Sequence, residues 1–382
     1  MHNKKLYTLP PISLYIHIPW CLKKCPYCDF HSYKYSQSIS EKKYIKHIIR
    51  DLKNDKKIIS NRSIKSIFIG GGTPSLLKSK TLLYLLTEIK KNISISKKIE
   101  ISIEVNPDIN QKNKLLEYYQ AGINRFSIGI QTFNTNLLAK IERKYNKKKA
   151  IKLINSINHI SHKNLNIDLM YGLPEQTIEN VLEDLYQVIN LEPEHISWYQ
   201  LNIEPNTKFY TQNINLPSLQ VTKIMHLEGK KLLEKYGYIQ YEISSYSKKI
   251  KYQCQHNLNY WNFGDYIGVG CGAHGKITQP NQKIIRTIKT KNDNIYVTKK
   301  YIKKKYTVST KDIPFEFFLN KFRLLQPIYY KDFENQTYIK KNKINKKITI
   351  AIKKNYLIQT TNAWYITDIG REKINSLLLI FL

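Results

Sequence analysis

The chain has 382 residues, of which 42% are apolar and 24% charged, so it can bury a sizeable core in one large and one smaller domain. Its formal net charge is +33, but the basic residues are scattered and form no nucleic-acid-binding motif, so we expect no specific nucleic acid as a partner. The N-terminus lacks a secretory signal and no apolar stretch reaches about 20 residues, which predicts a cytoplasmic protein with no transmembrane segment.

Six short apolar runs in the first part of the chain each end in loop residues, and helical patterns lie between them. The runs cover residues 14–18, 67–69, 101–105, 125–130, 166–170 and 195–201. The clearest helical patterns cover residues 81–91, 111–121 and 178–189. Strands that alternate with helices predict βαβ units and a parallel sheet. Because no dinucleotide-binding fingerprint accompanies these units, we expect a partial (β/α)6 barrel rather than a doubly wound sheet.

The pattern changes after residue 205. A helix is predicted at 221–236, and residues 253–275 are rich in glycine, histidine and aromatic side chains. From about residue 294 the chain is rich in lysine, with a helical piece at 315–325 and a strand-like piece at 364–367. We therefore predict an α/β fold in three parts: a partial parallel barrel at 1–205, a connecting region at 206–293 and a smaller α+β domain at 294–382.

Three cysteines with the spacing CxxxCxxC, Cys21, Cys25 and Cys28, follow the first predicted strand directly. Three thiolates can bind three irons of a 4Fe–4S cluster and leave the fourth iron open to a chelating cosubstrate such as S-adenosylmethionine. The alternative is a zinc site completed by His17 or His31. Structural zinc usually takes paired CxxC elements, and the chain has no second pair, so the spacing favours the cluster.

The cysteine motif, with Tyr27 before its last cysteine, resembles that of the radical S-adenosylmethionine superfamily. The wider sequence from Tyr15 to Phe30 is similar to the oxygen-independent coproporphyrinogen III oxidase family, and the likeness continues to at least Gly275. The resemblance implies a radical S-adenosylmethionine barrel and a 4Fe–4S cluster on the three cysteines. It also implies an exchangeable S-adenosylmethionine and an electron donor for the cluster.

The same resemblance implies a set of residues that bind S-adenosylmethionine at successive strand ends. They are Tyr15, Gly71, Gly72, Thr73, Glu104, Gln131, Arg143 and Asp168. The glycines would let backbone carbonyls approach the cosubstrate's amine, Arg143 would pair with its carboxylate, and Asp168 would accept from its ribose. The chain departs from the family at Tyr145, which stands where the family has a histidine.

Two features favour the haem-chaperone branch of this family over the oxidase itself. The oxidase carries a further cysteine two residues after the third cluster ligand, where this chain has Phe30. Residues 256–261 read HNLNYW and match the HNxxYW motif of the chaperone branch. We expect His256 to be an exposed ligand of haem iron, with His274 a further candidate, and the buried thiols of Cys254 and Cys271 to be inert.

The branch implies that the protein binds haem and passes it to an acceptor protein, for which an enzyme of the respiratory membrane is a candidate. The sequence names no catalytic residue and leaves open whether the protein is an enzyme. One alternative is the oxidase reaction, a radical decarboxylation of coproporphyrinogen III. Another is a radical S-adenosylmethionine protein that modifies nucleic acid, which steeply salt-dependent RNA binding would support.

Overall fold

A computed structural model describes residues 8–35, 39–107, 113–158, 160 and 164–382. Its strands are β1 Ile12–Ile18, β2 Trp20–Cys21, β3 Tyr33–Lys34, β4 Ile64–Gly71, β5 Ile95–Val105, β6 Arg125–Gln131, β7 Leu165–Tyr171, β8 His195–Gln200, β9 Ile239–Glu242, β10 Ser245–Ser247, β11 Asp265–Val269, β12 His274–Thr278, β13 Ile284–Lys289, β14 Ile302–Thr307, β15 Ile328–Tyr329, β16 Leu357–Gln359 and β17 Ala363–Ile366. Its helices are α1 Glu41–Asp55, α2 Ser79–Asn92, α3 Lys114–Ala121, α4 Thr135–Lys140, α5 Lys147–Asn158, α6 Ile178–Asn190, α7 Leu219–Lys235, α8 Gln255–Trp261, α9 Asp293–Tyr296, α10 Ile313–Lys321, α11 Tyr330–Thr337, α12 Asn345–Lys353, α13 Asp368–Glu372 and α14 Ile374–Leu379.

One large sheet organises most of the chain, in the order β14-β13-β12-β11-β1-β4-β5-β6-β7-β8-β10-β9. The strands from β11 through β8 run parallel, whereas β10 and β9 at one end and β12 to β14 at the other are antiparallel. The predicted α/β class with a parallel centre is confirmed. The six predicted strands are β1 and β4 to β8. The antiparallel ends were not predicted; β14, for example, is exposed at all six residues and has no apolar run.

The helices that cover the parallel strands follow from local sequence signals. In α6 the side chain of Thr177 caps the helix together with Asn180, and an apolar stripe that includes Leu185 and Val188 is buried against the sheet. Ser40 caps α1 in the same position. The predicted helix 111–121 is observed as α3, and residues 111 and 112 lie outside the described residues.

Two hydrophobic cores lie in the described chain. The larger core belongs to the main sheet and its helices, and it draws on residues between Ile12 and Tyr301. The smaller core packs Phe317, Phe318 and Trp364 with other residues up to Phe381. Strand β14 lies beyond residue 294 yet pairs with β13 of the main sheet. The division of the chain at residues 205 and 293 therefore stays a prediction.

A short segment that begins at the last residue of α10, residues 321–325, returns from the smaller core to the main sheet. The N–H of Ile243 donates to the carbonyl of Arg323 at 3.0 Å, and the N–H of Leu325 donates to the carbonyl of Tyr241 at 3.2 Å. On its other side, Lys321 Nζ donates to Asn262 Oδ1 at 2.7 Å, just beyond α8. Helix α8 packs against β1, β4 and β11. The segment therefore connects the β9 side of the sheet to the β11 side.

Part of the large positive charge lies at the edge of the main sheet. All six residues of β14 are exposed, and they include Lys303, Lys304 and Lys305. Charged edge strands, especially those rich in lysine, resist pairing with other chains. Among the helices that the structure describes, none combines the length and apolar character needed to cross a bilayer.

Candidate functional site

A cavity of about 600 Å³ lies inside the partial barrel. Its walls come from the cysteine loop, the parallel strands, α8 and the segment 321–325. Apart from the further candidate His274, every site residue that the sequence predicts lines it: Tyr15, Cys21, Cys25, Cys28, Gly71, Gly72, Thr73, Glu104, Gln131, Arg143, Asp168 and His256. The fold thus brings together residues that are up to 241 positions apart in the sequence, as expected where parallel strands end in a common mouth.

The cysteine loop is closed by a short parallel ladder between β2 and β3. The N–H of Tyr33 donates to the carbonyl of Pro19 at 2.9 Å, and the Cys28 N–H donates to the Cys25 carbonyl at 3.1 Å. The thiols of Cys21, Cys25 and Cys28 are free. Burial raises the pKa of Cys28 to about 11 and also raises the pKa of Cys21. Three free thiols facing one cavity form a donor set that fits an iron–sulfur cluster.

The two histidines that could complete a zinc site are engaged elsewhere. His17 donates from Nε2 to the carbonyl of His31 at 2.7 Å, and its Nδ1 lies 3.0 Å from the hydroxyl of Tyr15. His31 Nε2 lies 3.8 Å from Sγ of Cys271. Neither histidine is among the described residues that line the cavity with the three cysteines. These contacts favour the cluster over zinc.

Gly71, which ends β4, and Gly72, which follows it, let that strand end lie directly on the start of the cysteine loop. The N–H of Gly72 donates to the Ile18 carbonyl and the N–H of Thr73 donates to the Trp20 carbonyl, both at 2.7 Å. A Cβ at Gly72 would lie 2.6 Å from the Trp20 oxygen, and one at Gly71, where φ is +119°, would lie 2.7 Å from the His17 ring. Both positions therefore require glycine, because the end of β4 packs closely against the segment that leads into the cysteine loop. The glycines' predicted approach to the cosubstrate's amine stays a prediction.

Two partly buried carboxyl groups, Glu104 on β5 and Asp168 on β7, face the cavity from either side of β6. Glu104 accepts from the Gly71 N–H at 3.0 Å, and Asp168 accepts from Ser127 Oγ at 3.1 Å and from Asn166 Nδ2 at 2.7 Å. Burial, reinforced by the charge of Asp168, raises the pKa of Glu104 to about 8, and burial also raises the pKa of Asp168. A cationic ligand would relieve this accumulation of negative charge. The pair therefore fits the positively charged S-adenosylmethionine.

Arg143 and Gln131 are both held in place by tyrosines. The Arg143 guanidinium donates to the Tyr27 hydroxyl from Nε at 3.1 Å and from Nη2 at 2.9 Å. Gln131 ends β6 with a positive φ of 66°, and its Oε1 accepts from the Tyr199 hydroxyl at 3.0 Å. Tyr27 directly precedes Cys28 in the cysteine loop. Arg143 thus lies beside that loop, where a guanidinium can bind a carboxylate.

Tyr145, which replaces the family histidine, has a structural contact of its own. Its side chain is buried in the larger core. Its hydroxyl donates to the carbonyl of Ile130, the residue before Gln131 in β6. The replacement therefore supports the strand end that carries Gln131.

The expectation that His256 is exposed is wrong. Its imidazole is 1% exposed. Nδ1 lies 3.1 Å from Ser66 Oγ and Nε2 lies 2.9 Å from the Tyr260 hydroxyl. The residue is buried because Glu100 accepts from the first N–H groups of α8 and holds that helix inside the barrel. Burial lowers the pKa of His256 to about 3. Its role as a haem ligand stays a prediction.

The cavity has two distinct ends. Ser66, which contacts His256, lies five residues before Gly71 on β4, so roughly 16 Å of strand separates it from the glycine loop. One end of the cavity therefore holds the cysteines and the other holds α8. Cys254 and Cys271 are both fully buried, as expected, and burial raises the pKa of each to about 12. His274 is exposed.

Four charged residues that line the cavity were not predicted as site residues from the sequence: Lys23, Arg125, Glu242 and Arg323. Arg125 and Glu242 are each 2% exposed, and Arg125 lies 4.0 Å from Glu100. No pattern marks these residues among the many charges of the chain, and Arg323 lies beyond the stretch that resembles the oxidase family. Tyr27 had a signal, because it is the aromatic residue within the cysteine motif.

Comparison with known proteins identifies the family of this chain. Residues 15–185 match the radical SAM superfamily. Heme chaperone HemW of Buchnera aphidicola subsp. Acyrthosiphon pisum is 57% identical over 377 residues, which are 99% of this chain and 100% of the relative. Heme chaperone HemW of Escherichia coli K12 is 43% identical, again over 99% of this chain and 100% of the relative. The chain belongs to the HemW family.

A solved structure supports the fold. The coproporphyrinogen III oxidase HemN from Escherichia coli, a radical SAM enzyme, matches with a TM-score of 0.83 at 21% identity, over 99% of this chain and 91% of that chain. As a radical SAM family, HemW implies a 4Fe–4S cluster and S-adenosylmethionine. The free thiols at one end of the cavity fit the cluster, and the carboxylates of Glu104 and Asp168 fit S-adenosylmethionine.

Proposed function

We propose that this chain is a haem chaperone, which binds haem as cargo and transfers it to an acceptor protein. The observation that carries the proposal is the full-length likeness to relatives named heme chaperone HemW, at 57% and 43% identity. A second support is that the HNxxYW helix, α8, lines the same cavity as the three cysteines. Cargo binding at α8 and cofactor binding at the cysteine loop would then share one cavity.

In this proposal the residues divide by ligand. Cys21, Cys25 and Cys28 hold the 4Fe–4S cluster, which supplies one-electron chemistry next to S-adenosylmethionine. The cosubstrate is held by Tyr15, Gly71, Gly72, Thr73, Glu104, Gln131, Arg143 and Asp168. This chain's own part is to place a cation beside Glu104 and Asp168 and a carboxylate beside Arg143. We also propose that binding of the cluster and S-adenosylmethionine controls the binding or release of haem.

His256 is the proposed ligand of the haem iron. Because its pKa is lowered to about 3, the imidazole is neutral at physiological pH, which is the form that binds metals. Ser66 at Nδ1 provides the second contact that orients a metal-binding histidine. The Tyr260 hydroxyl occupies Nε2, so haem binding would require that hydroxyl to turn away.

The experiment is an anaerobic haem titration of protein reconstituted with iron and sulfide, followed by the Soret band. We compare the wild type with His256→Ala and with His274→Ala, an exposed histidine outside the cavity lining. We expect saturable one-to-one binding by the wild type, roughly tenfold weaker binding by His256→Ala and unchanged binding by His274→Ala. The cluster absorption and S-adenosylmethionine binding of His256→Ala serve as its folding control.

The oxidase is the second candidate, because the chain shares the fold of HemN at a TM-score of 0.83. The same preparation is therefore supplied with coproporphyrinogen III, S-adenosylmethionine and a reductant. Conversion of coproporphyrinogen III without haem binding would overturn the chaperone proposal and support the oxidase. Haem binding without conversion would support the chaperone.

We place the protein in the cytoplasm, where an electron donor can reduce the cluster. This placement is supported by the five cysteines, all of which are free, as is usual in a reducing compartment. The acceptor in this proposal is a haem-dependent protein, with an enzyme of the respiratory membrane as the first candidate. Transfer from haem-loaded protein to an apo-acceptor, measured by recovery of the acceptor's spectrum, tests it.

A further inference from the structure

Four buried polar atoms at the α8 end of the cavity have no hydrogen-bond partner among the described residues. They are Oε2 of Glu242, Nε1 of Trp261, Nε of Arg323 and Nε of Arg125, which lies 4.0 Å from Glu100. All four residues line the cavity, and Glu242 is 2% exposed. Buried polar groups are nearly always hydrogen-bonded, so a cluster of exceptions requires an explanation. A ligand with acceptor oxygens that reaches this end of the cavity would provide partners for the donors Trp261 Nε1 and Arg323 Nε.

The guanidinium of Arg323 is fixed in place. Its carbon lies 4.4 Å from the centroid of the Trp261 ring, and its own backbone is held by the hydrogen bond from Ile243 at 3.0 Å. A guanidinium stacked on an indole keeps its edge donors available. Because no described hydrogen bond uses this guanidinium, its donors and the Trp261 N–H together form a site for an anion, and a carboxylate matches the fork of an arginine.

This site is separate from the one for the cosubstrate's carboxylate. Arg143 lies on Tyr27 at the cysteine end of the cavity, whereas Arg323 lies on Trp261 at the α8 end. The two arginines would therefore serve two different carboxylate-bearing ligands. The ligand at Arg323 must be one that reaches α8.

We propose that Arg323 and Trp261 form a carboxylate subsite that holds a propionate of the haem cargo. The inference rests on the proposed function. Trp261 follows His256 by five residues on α8, which is about 7.5 Å along the helix axis. A porphyrin carries its iron at the centre and its carboxylates at the edge, so one helix can present the iron ligand and the propionate anchor together. Glu242, with Oε2 unpaired, opposes the negative charge of the propionate.

The test compares haem with haem dimethyl ester, in which both propionates are esterified. Binding of each to the reconstituted protein is measured for the wild type, Arg323→Met and Glu242→Gln. Arg50→Met, which removes an exposed arginine on α1, is the matched control. We expect the wild type and Arg50→Met to bind haem about tenfold more tightly than the ester, the gain typical of a charge-assisted hydrogen bond.

In Arg323→Met we expect haem affinity to fall to that of the ester, with ester affinity unchanged. In Glu242→Gln we expect haem to bind more tightly, which a merely damaged cavity would not produce. If Arg323→Met keeps the preference for haem, or loses affinity for both ligands equally, the inference is overturned and the proposed function stands. If the wild type binds no haem, both are overturned.

Discussion

The carboxylate of Glu104 accepts a hydrogen bond from the backbone N–H of Gly71 at 3.0 Å. This contact joins the end of β5 to the glycine loop, and that loop in turn lies on the cysteine loop through the Gly72 and Thr73 amides. One carboxyl group thereby faces the proposed cosubstrate and supports the cluster loop at the same time. The protonation state of Glu104 should therefore affect the binding of S-adenosylmethionine directly.

We predict that S-adenosylmethionine binding depends on pH through Glu104. Its pKa of about 8 reflects burial and the charge of Asp168, and Tyr15 is the other titratable group beside it. Below pH 8 the carboxyl is largely protonated and attracts a cation less, so affinity should rise as the pH increases from 6 to about 8. Calorimetric titrations of the wild type and Glu104→Gln across this range provide the check, since titration of the ligand itself affects both proteins equally. An identical pH dependence in the two proteins would contradict the prediction.

Substitution of Gly72 by alanine should prevent normal cluster assembly. The added Cβ would lie 2.6 Å from the backbone oxygen of Trp20, so the cysteine loop must move. We expect the variant to retain less than half of the wild-type iron and sulfide per chain, and to lose about 1–3 kcal/mol of stability from overpacking. Gly237→Ala is the control, because no atom lies within 4 Å of the added Cβ there, and its positive φ of +80° makes it the harsher change for the backbone, since Gly72 has no positive φ. Equal cluster content in both variants would refute the loop-packing argument.

Loss of the Tyr145 hydroxyl should weaken the fold without changing the ligand site. Tyr145→Phe removes the hydrogen bond to the Ile130 carbonyl, and we expect it to lower the free energy of unfolding by about 1–3 kcal/mol, since the carbonyl stays buried. Chemical denaturation measures this loss. Tyr210→Phe, at a position that is 59% exposed, should have no effect. S-adenosylmethionine affinity should stay within about twofold of wild type. A large loss of S-adenosylmethionine affinity in Tyr145→Phe would contradict the purely structural assignment of this tyrosine.

The protein should lose stability in mild acid because of buried neutral histidines. His256 has a folded-state pKa of about 3, well below the ordinary value of about 6.5. The unfolded chain therefore binds the proton more readily, and stability falls as the pH drops below about 6.5. At pH 5 this residue should account for a loss of about 2 kcal/mol relative to pH 7. Urea unfolding of the wild type and His256→Gln at both pH values measures it. The glutamine variant should show a smaller difference between the two pH values, and an equal difference would rule out the assignment.

Spacing and periodicity in the sequence were sufficient to predict the parallel centre of the sheet and the cysteine loop. Both depend on neighbours along the chain: apolar runs of strand length, and three cysteines within eight residues. The burial of His256 could not be predicted, because it depends on Glu100, which caps α8 from a strand more than 150 residues earlier. Arg323 was missed for the same reason, since it reaches the cavity only through its pairing with Ile243. Features set by neighbouring residues could therefore be predicted. The α8 end of the cavity could not, because it depends on contacts between residues far apart in the sequence.

Because the segment 321–325 lines the cavity, the cavity walls come from two separate parts of the sequence. The stretch that matches the radical SAM superfamily, residues 15–185, contains the three cysteines and the carboxyl pair. Glu242, Trp261 and Arg323, which line the same cavity, all lie outside it. In our proposal, the residues for the cofactors and those for the cargo therefore come from separate parts of the sequence. A lineage could change what the cavity accepts by substitutions after residue 185 alone, with the cysteine loop left as it is.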